Sequence, residues 1–212
     1  MKNYGIQPEQ VGRLEIGTES LFDKSKSTKT VLMTLFKDNH DIEGFNPFYL
    51  GATSINACYG ATNALINTLN WISSPFWDGR FGIVVAADIA VYEDGPARCT
   101  GGAGAVALLI GPRGKIIFNQ ERSTFMDNAY DFYKPNPSTH LLDSDSEYPT
   151  VDGKLSIECY IKAVEKCYEG LKEKMKGKNI IKEMDYFCFH SPFYKMVQKA
   201  YSKLLQCEYP SI

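Results

Sequence analysis

Residues 62–72 read Thr-Asn-Ala-Leu-Ile-Asn-Thr-Leu-Asn-Trp-Ile, and residues 81–87 read Phe-Gly-Ile-Val-Val-Ala-Ala. The first stretch carries apolar residues at helical spacing: Ala64, Leu65, Leu69 and Ile72. This spacing predicts a helix with one buried face. The second stretch is a continuous apolar run rich in β-branched residues, which is typical of a central strand.

Helices and strands are predicted to alternate along the rest of the chain as well. Further helices are predicted over 29–36, 155–175 and 194–205, and further strands over 13–17, 103–110 and 184–189. The segment 115–118 directly follows the strand at 103–110, and the two are predicted to form a hairpin. This alternation favours a layered α/β fold rather than a helical bundle or a sandwich.

Two stretches are predicted to leave the core. Residues 45–53 are aromatic and contain Gly and Pro, and residues 136–147 are rich in Pro, Ser and Asp. The composition of 136–147 predicts a mobile surface loop.

Composition excludes several classes of function. The chain has 212 residues and a formal net charge of −2, so it lacks the basic surface of a nucleic-acid-binding protein. Its longest apolar run, residues 104–111, is too short to span a bilayer. Six cysteines are present without a Cys-x-x-Cys pair, which argues against a structural metal site or a disulfide framework. We therefore expect reduced cysteines and an intracellular protein without a bound metal.

Cys58 is the first candidate for chemistry. It lies in Ile-Asn-Ala-Cys-Tyr-Gly-Ala, directly before the helix predicted at 62–72. The positive end of the helix dipole is expected to lower the pKa of the thiol and favour the nucleophilic thiolate. The alternative, a buried cysteine that packs as a small hydrophobic residue, stays open at this point.

Two further side chains stand at the ends of predicted strands. His190 lies in Phe-Cys-Phe-His-Ser-Pro, where an imidazole can polarise a carbonyl or donate a proton. The alternative is a histidine that forms hydrogen bonds only within its own turn. Glu19, in Gly-Thr-Glu-Ser, could act as a base if buried, or remain a solvated loop residue. Together with Cys58, these residues fit acyl transfer through a cysteine thioester.

Long motifs in this order identify a resemblance to the hydroxymethylglutaryl-CoA synthase family. They include Gly-Arg-Leu-Glu-Ile-Gly-Thr-Glu-Ser at 12–20, Asn-Ala-Cys-Tyr-Gly at 56–60, and Ala-Tyr-Asp-Phe-Tyr-Lys-Pro at 129–135. Others are Glu-Tyr-Pro-Thr-Val-Asp-Gly-Lys-Leu-Ser-Ile at 147–157 and Phe-His-Ser-Pro at 189–192. The resemblance covers nearly the whole chain, and it implies a thiolase-like layered fold with helices packed on a mixed sheet.

The resemblance also implies a reaction: condensation of acetyl-CoA with acetoacetyl-CoA, in the mevalonate or ketone-body pathway. Cys58 matches the residue that becomes acetylated, Glu19 the general acid/base, and His190 the residue that polarises acetoacetyl-CoA. Positions around the acyl pocket are matched by Tyr59, Asp88, Tyr92, Thr100, Asp131 and Phe132. Positions that hold CoA are matched by Ser156, Lys195 and Lys199.

The family pattern also sets expectations for the whole molecule. It begins upstream of this chain, with a first core strand, and continues beyond it, so we expect a single partial domain over 1–212 and an incomplete fold. Residues 45–53 and the loop from Asn136 are longer than their family equivalents. Lost strand partners and an exposed apolar face predict that the chain alone is unstable or prone to aggregate.

Further expectations concern partners and location. The resemblance implies acyl-CoA substrates, a homodimer, no cofactor, and no nucleic-acid or membrane partner. A cytoplasmic location is the default, with a mitochondrial one left open. Two other functions stay open: a ketoacyl-synthase type of condensing enzyme, and a catalytically silent partner of a full-length synthase.

Overall fold

The computed structural model describes residues 2–37, 49–133 and 148–210. The chain divides into two compact units. We call Met1–Ala90 with Gly102–Ile117 the sheet unit, and Val91–Gly101 with Phe118–Ile212 the helical unit. The single partial domain over 1–212 stays a prediction.

Within its described residues, the sheet unit contains four strands and three α-helices. In chain order they are β1 (Val11–Thr18), α1 (Thr28–Leu32), α2 (Thr34–Lys37), β2 (Thr53–Ile55), α3 (Gly60–Ile72), β3 (Phe81–Ala90) and β4 (Gly102–Ile110). The predicted strands at 13–17, 81–87 and 103–110 and the helix at 62–72 are confirmed. The helix predicted at 29–36 is divided at Met33 into α1 and α2.

The strands form one mixed sheet in the order β2-β1-β3-β4. β1 is parallel to β2 and to β3, with Gly17 opposite Ala86 as the last pair between β1 and β3. β4 runs antiparallel to β3 over its whole length, from Gly82↔Ile110 to Ala90↔Gly102. β3 is therefore a central strand, as its apolar run predicts.

Apolar side chains from both faces of this sheet enter buried clusters, whereas β4 is exposed except at Ile110. Leu14 and Ile16 of β1 belong to a buried cluster with Phe36 of α2. A second buried cluster joins Ala64 of α3 to Val84 of β3 and to Ile110. Alternation along the strands and the buried face of α3 thus produce helix, sheet and helix layers.

The part of the helical unit that the structure describes contains two short strands and three α-helices. They are β5 (Phe132–Tyr133), β6 (Thr150–Val151), α4 (Gly153–Lys174), α5 (Ile180–Glu183) and α6 (Tyr194–Glu208). The Asp152 carboxylate caps α4 by accepting hydrogen bonds from the N–H groups of Lys154 and Leu155. The core of this unit joins Tyr168, Ile180 and Leu204. The helices predicted at 155–175 and 194–205 are confirmed.

Two predictions of local structure are wrong. Residues 115–118 form no strand and do not pair with β4, and Ile116 and Ile117 are 79% and 82% exposed. Residues 184–189 form no strand either. Two apolar side chains of this segment, Phe187 and Phe189, instead pack against the buried core of the helical unit.

Other expectations fall partly outside the structure. The loop predicted at 136–147 lies outside the described residues, as does 45–48 of the aromatic stretch. Within the remainder of that stretch, Leu50 pairs with Arg13, and β2 begins at Thr53. Within the described ranges, no helix combines the length and hydropathy needed to cross a bilayer.

Candidate active site

Cys58 lies in a single 3-10 turn, Ala57–Tyr59, that leads directly into α3. The turn is closed by the carbonyl of Asn56, which accepts hydrogen bonds from the N–H groups of Tyr59 at 2.8 Å and Gly60 at 2.9 Å. Ala57 has a φ of +33°, a conformation that costs a non-glycine residue energy and is often found at functional sites. The backbone thus presents the thiol at the start of the helix, as the sequence predicts.

Two glycines allow the start of α3 to approach the end of β1. A Cβ atom on Gly17 would lie 2.1 Å from the backbone nitrogen of Ala61. A Cβ atom on Gly60 would lie 2.9 Å from the carbonyl oxygen of Ser54. Only glycine fits such backbone contacts. This close packing brings Cys58 next to the residues that follow β1.

The thiol of Cys58 donates a hydrogen bond to Oε2 of Glu19 at 3.7 Å. The residue as a whole is exposed, although protein atoms surround its thiol. The pKa of Cys58 is raised to about 11, first because the protein atoms around the thiol desolvate its charged form, and then because of the charges of Glu19 and Asp88. The expectation of a lowered Cys58 pKa is therefore wrong, since desolvation and the two carboxylates disfavour the thiolate.

Asp88, near the end of β3, organises the turn that carries Glu19. Its Oδ1 atom accepts hydrogen bonds from the Thr18 hydroxyl at 2.8 Å and from the Glu19 N–H at 2.7 Å. It also accepts bonds from the N–H and the hydroxyl of Ser20, at 3.2 Å and 3.0 Å. We call Cys58, Glu19 and Asp88 the thiol cluster. The structure brings these three sequence-predicted residues together.

His190 belongs to the helical unit, in an irregular segment before α6. Its carbonyl accepts a hydrogen bond from the Tyr160 hydroxyl at 2.8 Å, and the two rings lie 6.2 Å apart. Burial lowers the pKa of His190 below its usual value of 6.5. The imidazole is therefore neutral at pH 7, a form that can donate one hydrogen bond and accept another.

Some of the residues matched to the acyl pocket meet within the helical unit. The rings of Tyr92 and Phe132 contact each other edge to face at 5.2 Å. The Asp131 carbonyl, beside Phe132, accepts a hydrogen bond from the N–H of Asp152 at 2.8 Å. Thr100 ends a 3-10 turn, with its hydroxyl bound to the carbonyl of Ala97. Tyr59 lies in the sheet unit, exposed beside Cys58.

The residues matched to CoA binding lie on α4 and α6 of the helical unit. Lys195 and Lys199, one helical turn apart on α6, line a groove of about 430 Å³ that Ile157 borders from α4. Ser156 is the neighbour of Ile157 in the first turns of α4. The two ammonium groups make this groove suited to an anionic ligand such as a phosphate.

Three residues that support the site were not predicted from the sequence. Thr18 and Ser20 hold the Glu19 turn to Asp88, and Tyr160 holds the backbone of His190. One available signal was the pair of hydroxyl residues on either side of Glu19 at the end of a strand. Across the described ranges, no group of three or more His, Cys, Asp or Glu side chains could hold a metal ion. The expected absence of a metal and of a cofactor stays a prediction.

Comparison with known proteins gives consistent matches over both units. Residues 1–115 match the family "Hydroxymethylglutaryl-coenzyme A synthase N terminal", and residues 116–211 match "Hydroxymethylglutaryl-coenzyme A synthase C terminal". The chain is 50% identical to hydroxymethylglutaryl-CoA synthase B of Dictyostelium discoideum over 97% of its own length and 42% of that protein. It is 48% identical to the Saccharomyces cerevisiae synthase, over 97% of this chain and 41% of that one. A mitochondrial synthase of Mus musculus is 50% identical, over 93% of this chain and 38% of that one.

Solved structures agree with these relatives. A structure titled MvaS in complex with 3-hydroxy-3-methylglutaryl coenzyme A superimposes with a TM-score of 0.81 at 28% identity. The superposition covers 98% of this chain and 49% of that one. An HMG-CoA synthase complexed with CoA has a TM-score of 0.76 at 27% identity, over 99% of this chain and 50% of that one.

These matches confirm the thiolase-like arrangement of helices on a mixed sheet. The chain spans about two fifths of the length of the curated relatives it matches and half of the solved structures. Because the two family matches together cover residues 1–211, the chain belongs to the hydroxymethylglutaryl-CoA synthase family.

Proposed function

We propose that this chain carries the acyl-transfer site of a hydroxymethylglutaryl-CoA synthase. In this proposal acetyl-CoA and acetoacetyl-CoA condense to 3-hydroxy-3-methylglutaryl-CoA through an acetyl group on Cys58. The observation that carries the proposal is the hydrogen bond from the Cys58 thiol to the Glu19 carboxylate at 3.7 Å. A nucleophile in contact with a base at an exposed element end is the arrangement that acyl transfer needs.

The raised pKa of Cys58 determines how the first step runs. Because this pKa is about 11, the thiol is protonated at neutral pH and must lose its proton as it attacks. Glu19 accepts that proton while Sγ bonds to the acetyl carbon of acetyl-CoA. The bond from that carbon to the sulfur of CoA then breaks. The proton passes from Glu19 to the departing thiolate, so free CoA leaves and Glu19 is a carboxylate again.

The second step uses the same carboxylate. Glu19 removes a proton from the methyl group of the acetyl-Cys58 thioester, and the resulting carbon attacks the ketone carbon of acetoacetyl-CoA. The ketone oxygen takes up the proton that Glu19 removed, which forms the 3-hydroxyl group and returns Glu19 to a carboxylate. Water then cleaves the thioester to Cys58, which releases the product and restores the thiol.

By family resemblance, His190 polarises the ketone of acetoacetyl-CoA. The lowered pKa of His190 leaves the imidazole neutral at pH 7, and its one N–H can donate a hydrogen bond to the ketone oxygen. Lys195 and Lys199 are proposed to attract the phosphates of CoA. Structures of family members with CoA and with 3-hydroxy-3-methylglutaryl-CoA support acyl-CoA ligands for this chain.

The experiment that tests this proposal follows an acetyl group onto the chain. The 212-residue protein is incubated with radiolabelled acetyl-CoA, and mass spectrometry locates the label. We expect label on Cys58, none after Cys58→Ala, and unchanged labelling after Cys99→Ala, which removes another exposed cysteine. Acetoacetyl-CoA should then convert the label into 3-hydroxy-3-methylglutaryl-CoA.

Other outcomes would point to the alternative functions. A 3-ketoacyl product would indicate a ketoacyl-synthase type of condensing enzyme. A chain that takes no label but binds a full-length synthase would be a silent partner. Either result would overturn the proposal that this chain turns over as a synthase.

The remaining properties of the whole protein are part of the same proposal. We propose a homodimer without a cofactor, acting in the mevalonate or ketone-body pathway. A cytoplasmic location remains our proposal, although a mitochondrial synthase is among the relatives. Size-exclusion chromatography with light scattering tests the dimer.

A further inference from the structure

The turn after β1 is held by side chains rather than by the sheet. Backbone pairing between β1 and β3 ends at Gly17 and Ala86. Glu19 lies two residues beyond that last pair, so the ladder itself does not determine where its carboxylate lies. Another contact must hold the turn against the end of β3.

Ser20 supplies a contact of this kind. Its hydroxyl donates a hydrogen bond to Oδ1 of Asp88 at 3.0 Å and accepts one from the N–H of Ile89 at 2.8 Å. One oxygen atom therefore joins the turn to both a side chain and the backbone of β3. Among the hydroxyls of this turn, the Thr18 hydroxyl also binds Asp88, but its residue is only 3% exposed and also fills space in the core.

We propose that Ser20 is the positioning residue for Glu19, and that its bridge between Asp88 and Ile89 holds the Glu19 carboxylate against the thiol of Cys58. The catalytic meaning of this placement depends on the proposed function. The placement itself does not, because it rests on the hydrogen bonds of the sheet unit.

The bridge explains why Ser20 can matter without touching substrate. Removing its hydroxyl leaves the N–H of Ile89 without that acceptor and removes one of the bonds to Asp88. The turn keeps its other bonds to Asp88, from the Thr18 hydroxyl and from the N–H groups of residues 19 and 20, but it loses its link to the backbone of β3. The carboxylate then spends less time within reach of the thiol, and displacements of about 1 Å can slow an enzymatic step by roughly a hundredfold.

The first test measures geometry without turnover. Iodoacetamide alkylation of Cys58 is followed against pH by mass spectrometry in the full chain, in Ser20→Ala and in Ser20→Thr. Since the carboxylate of Glu19 disfavours the thiolate, Ser20→Ala should shift the alkylation profile to lower pH. Ser20→Thr keeps a hydroxyl and should restore the original profile. Ser25→Ala, at an exposed serine of the same unit, is the matched control and should change nothing.

The second test measures the reaction. Ser20→Ala should lower kcat by about ten- to a hundredfold and leave the KM for acetyl-CoA unchanged, because the hydroxyl positions the base and does not bind substrate. Ser20→Thr should recover most of the rate. A proportional loss of folded protein, measured by thermal unfolding, would instead indicate a merely structural role and contradict the proposal.

A measurement on the unaltered chain keeps the inference testable if Ser20→Ala does not fold. The amide of Ile89 should exchange slowly with deuterium, because Ser20 accepts its hydrogen bond. Fast exchange at Ile89, or an unshifted alkylation profile in folded Ser20→Ala, would overturn the role of Ser20. Absence of acetyl label on the unaltered chain would instead overturn the proposed function, and the alkylation and exchange results would still decide the role of Ser20.

Discussion

Sγ of Cys58 lies 3.7 Å from Oε2 of Glu19 and donates a hydrogen bond to it. The two residues are 39 positions apart in the chain, so this contact exists only because β1 and α3 pack together. The contact gives the thiol a proton acceptor and also makes its thiolate less stable. The same carboxylate thus raises the pKa of Cys58 and, in the proposed mechanism, removes the proton of the thiol as it attacks.

Replacing Glu19 should make Cys58 more acidic. Glu19→Gln removes a nearby negative charge, so the pKa of Cys58 should fall by about one unit from about 11. It should not reach the usual value of a thiol, because burial is the larger cause and remains. The pH dependence of iodoacetamide alkylation measures the shift. Glu9→Gln, at an exposed carboxylate of the same unit, should leave the profile in place.

His190 should titrate below pH 6.5, since burial lowers its pKa. The folded chain then binds fewer protons than the unfolded chain at this site. The neutral imidazole of His190 therefore contributes stability above pH 6.5. This stability is lost as the pH falls through the pKa of His190 in the folded chain. NMR titration of the imidazole C–H, assigned with His190→Gln, measures the value. A His190 pKa at or above 6.5 would show that the protein atoms around the imidazole do not disfavour its charged form.

Loss of the Tyr160 hydroxyl should loosen the backbone that carries His190. Tyr160→Phe removes the 2.8 Å bond to the His190 carbonyl and admits water, so the pKa of His190 should rise toward 6.5. The matched control is Tyr194→Phe, at an exposed tyrosine. An equal shift in both variants would count against a specific effect of Tyr160.

Gly17→Ala should separate β1 from α3. The added Cβ would lie 2.1 Å from the backbone nitrogen of Ala61, so one element must move. We expect a loss of about 1–3 kcal/mol in the free energy of unfolding, measured in urea, as for other overpacked positions. The pKa of Cys58 should fall in the same variant as Glu19 moves away. Gly102→Ala, where an added Cβ meets nothing within 4 Å, should stay within about 0.5 kcal/mol of the unaltered chain.

The buried ion pair of β1 should be costly to break. Glu15 is fully buried, and its Oε1 atom accepts hydrogen bonds from Arg13 at 2.6 Å and 3.0 Å. Arg13→Met leaves a carboxylate buried without its cation, which typically destabilises a protein by about 3–5 kcal/mol. Lys166→Ala breaks a solvent-exposed pair with Glu169 and should cost less than about 1 kcal/mol. Equal urea midpoints for the two variants would show that the Arg13–Glu15 pair contributes little.

Local patterns were sufficient to predict most elements of the fold. The apolar run of β3 and the helical spacing of α3 appear in the structure at nearly the predicted residues. Their success has a physical reason: periodicity records which face of an element is buried, and burial dominates folding. The predicted strand at 184–189 failed because aromatic residues at such spacing can also pack onto helices, as Phe187 does.

Residue patterns along the chain were enough to identify the family, the succession of strands and helices, and the positions of Cys58, Glu19 and His190 in that succession. Packing between distant segments decides that β4 pairs with β3, that the pKa of Cys58 rises instead of falling, and that Asp88 binds both Glu19 and Ser20. The hydroxyl of Thr18 reaches Asp88 across 70 residues of chain. Contacts between such distant residues depend on strand register and close packing, and a periodic pattern records neither.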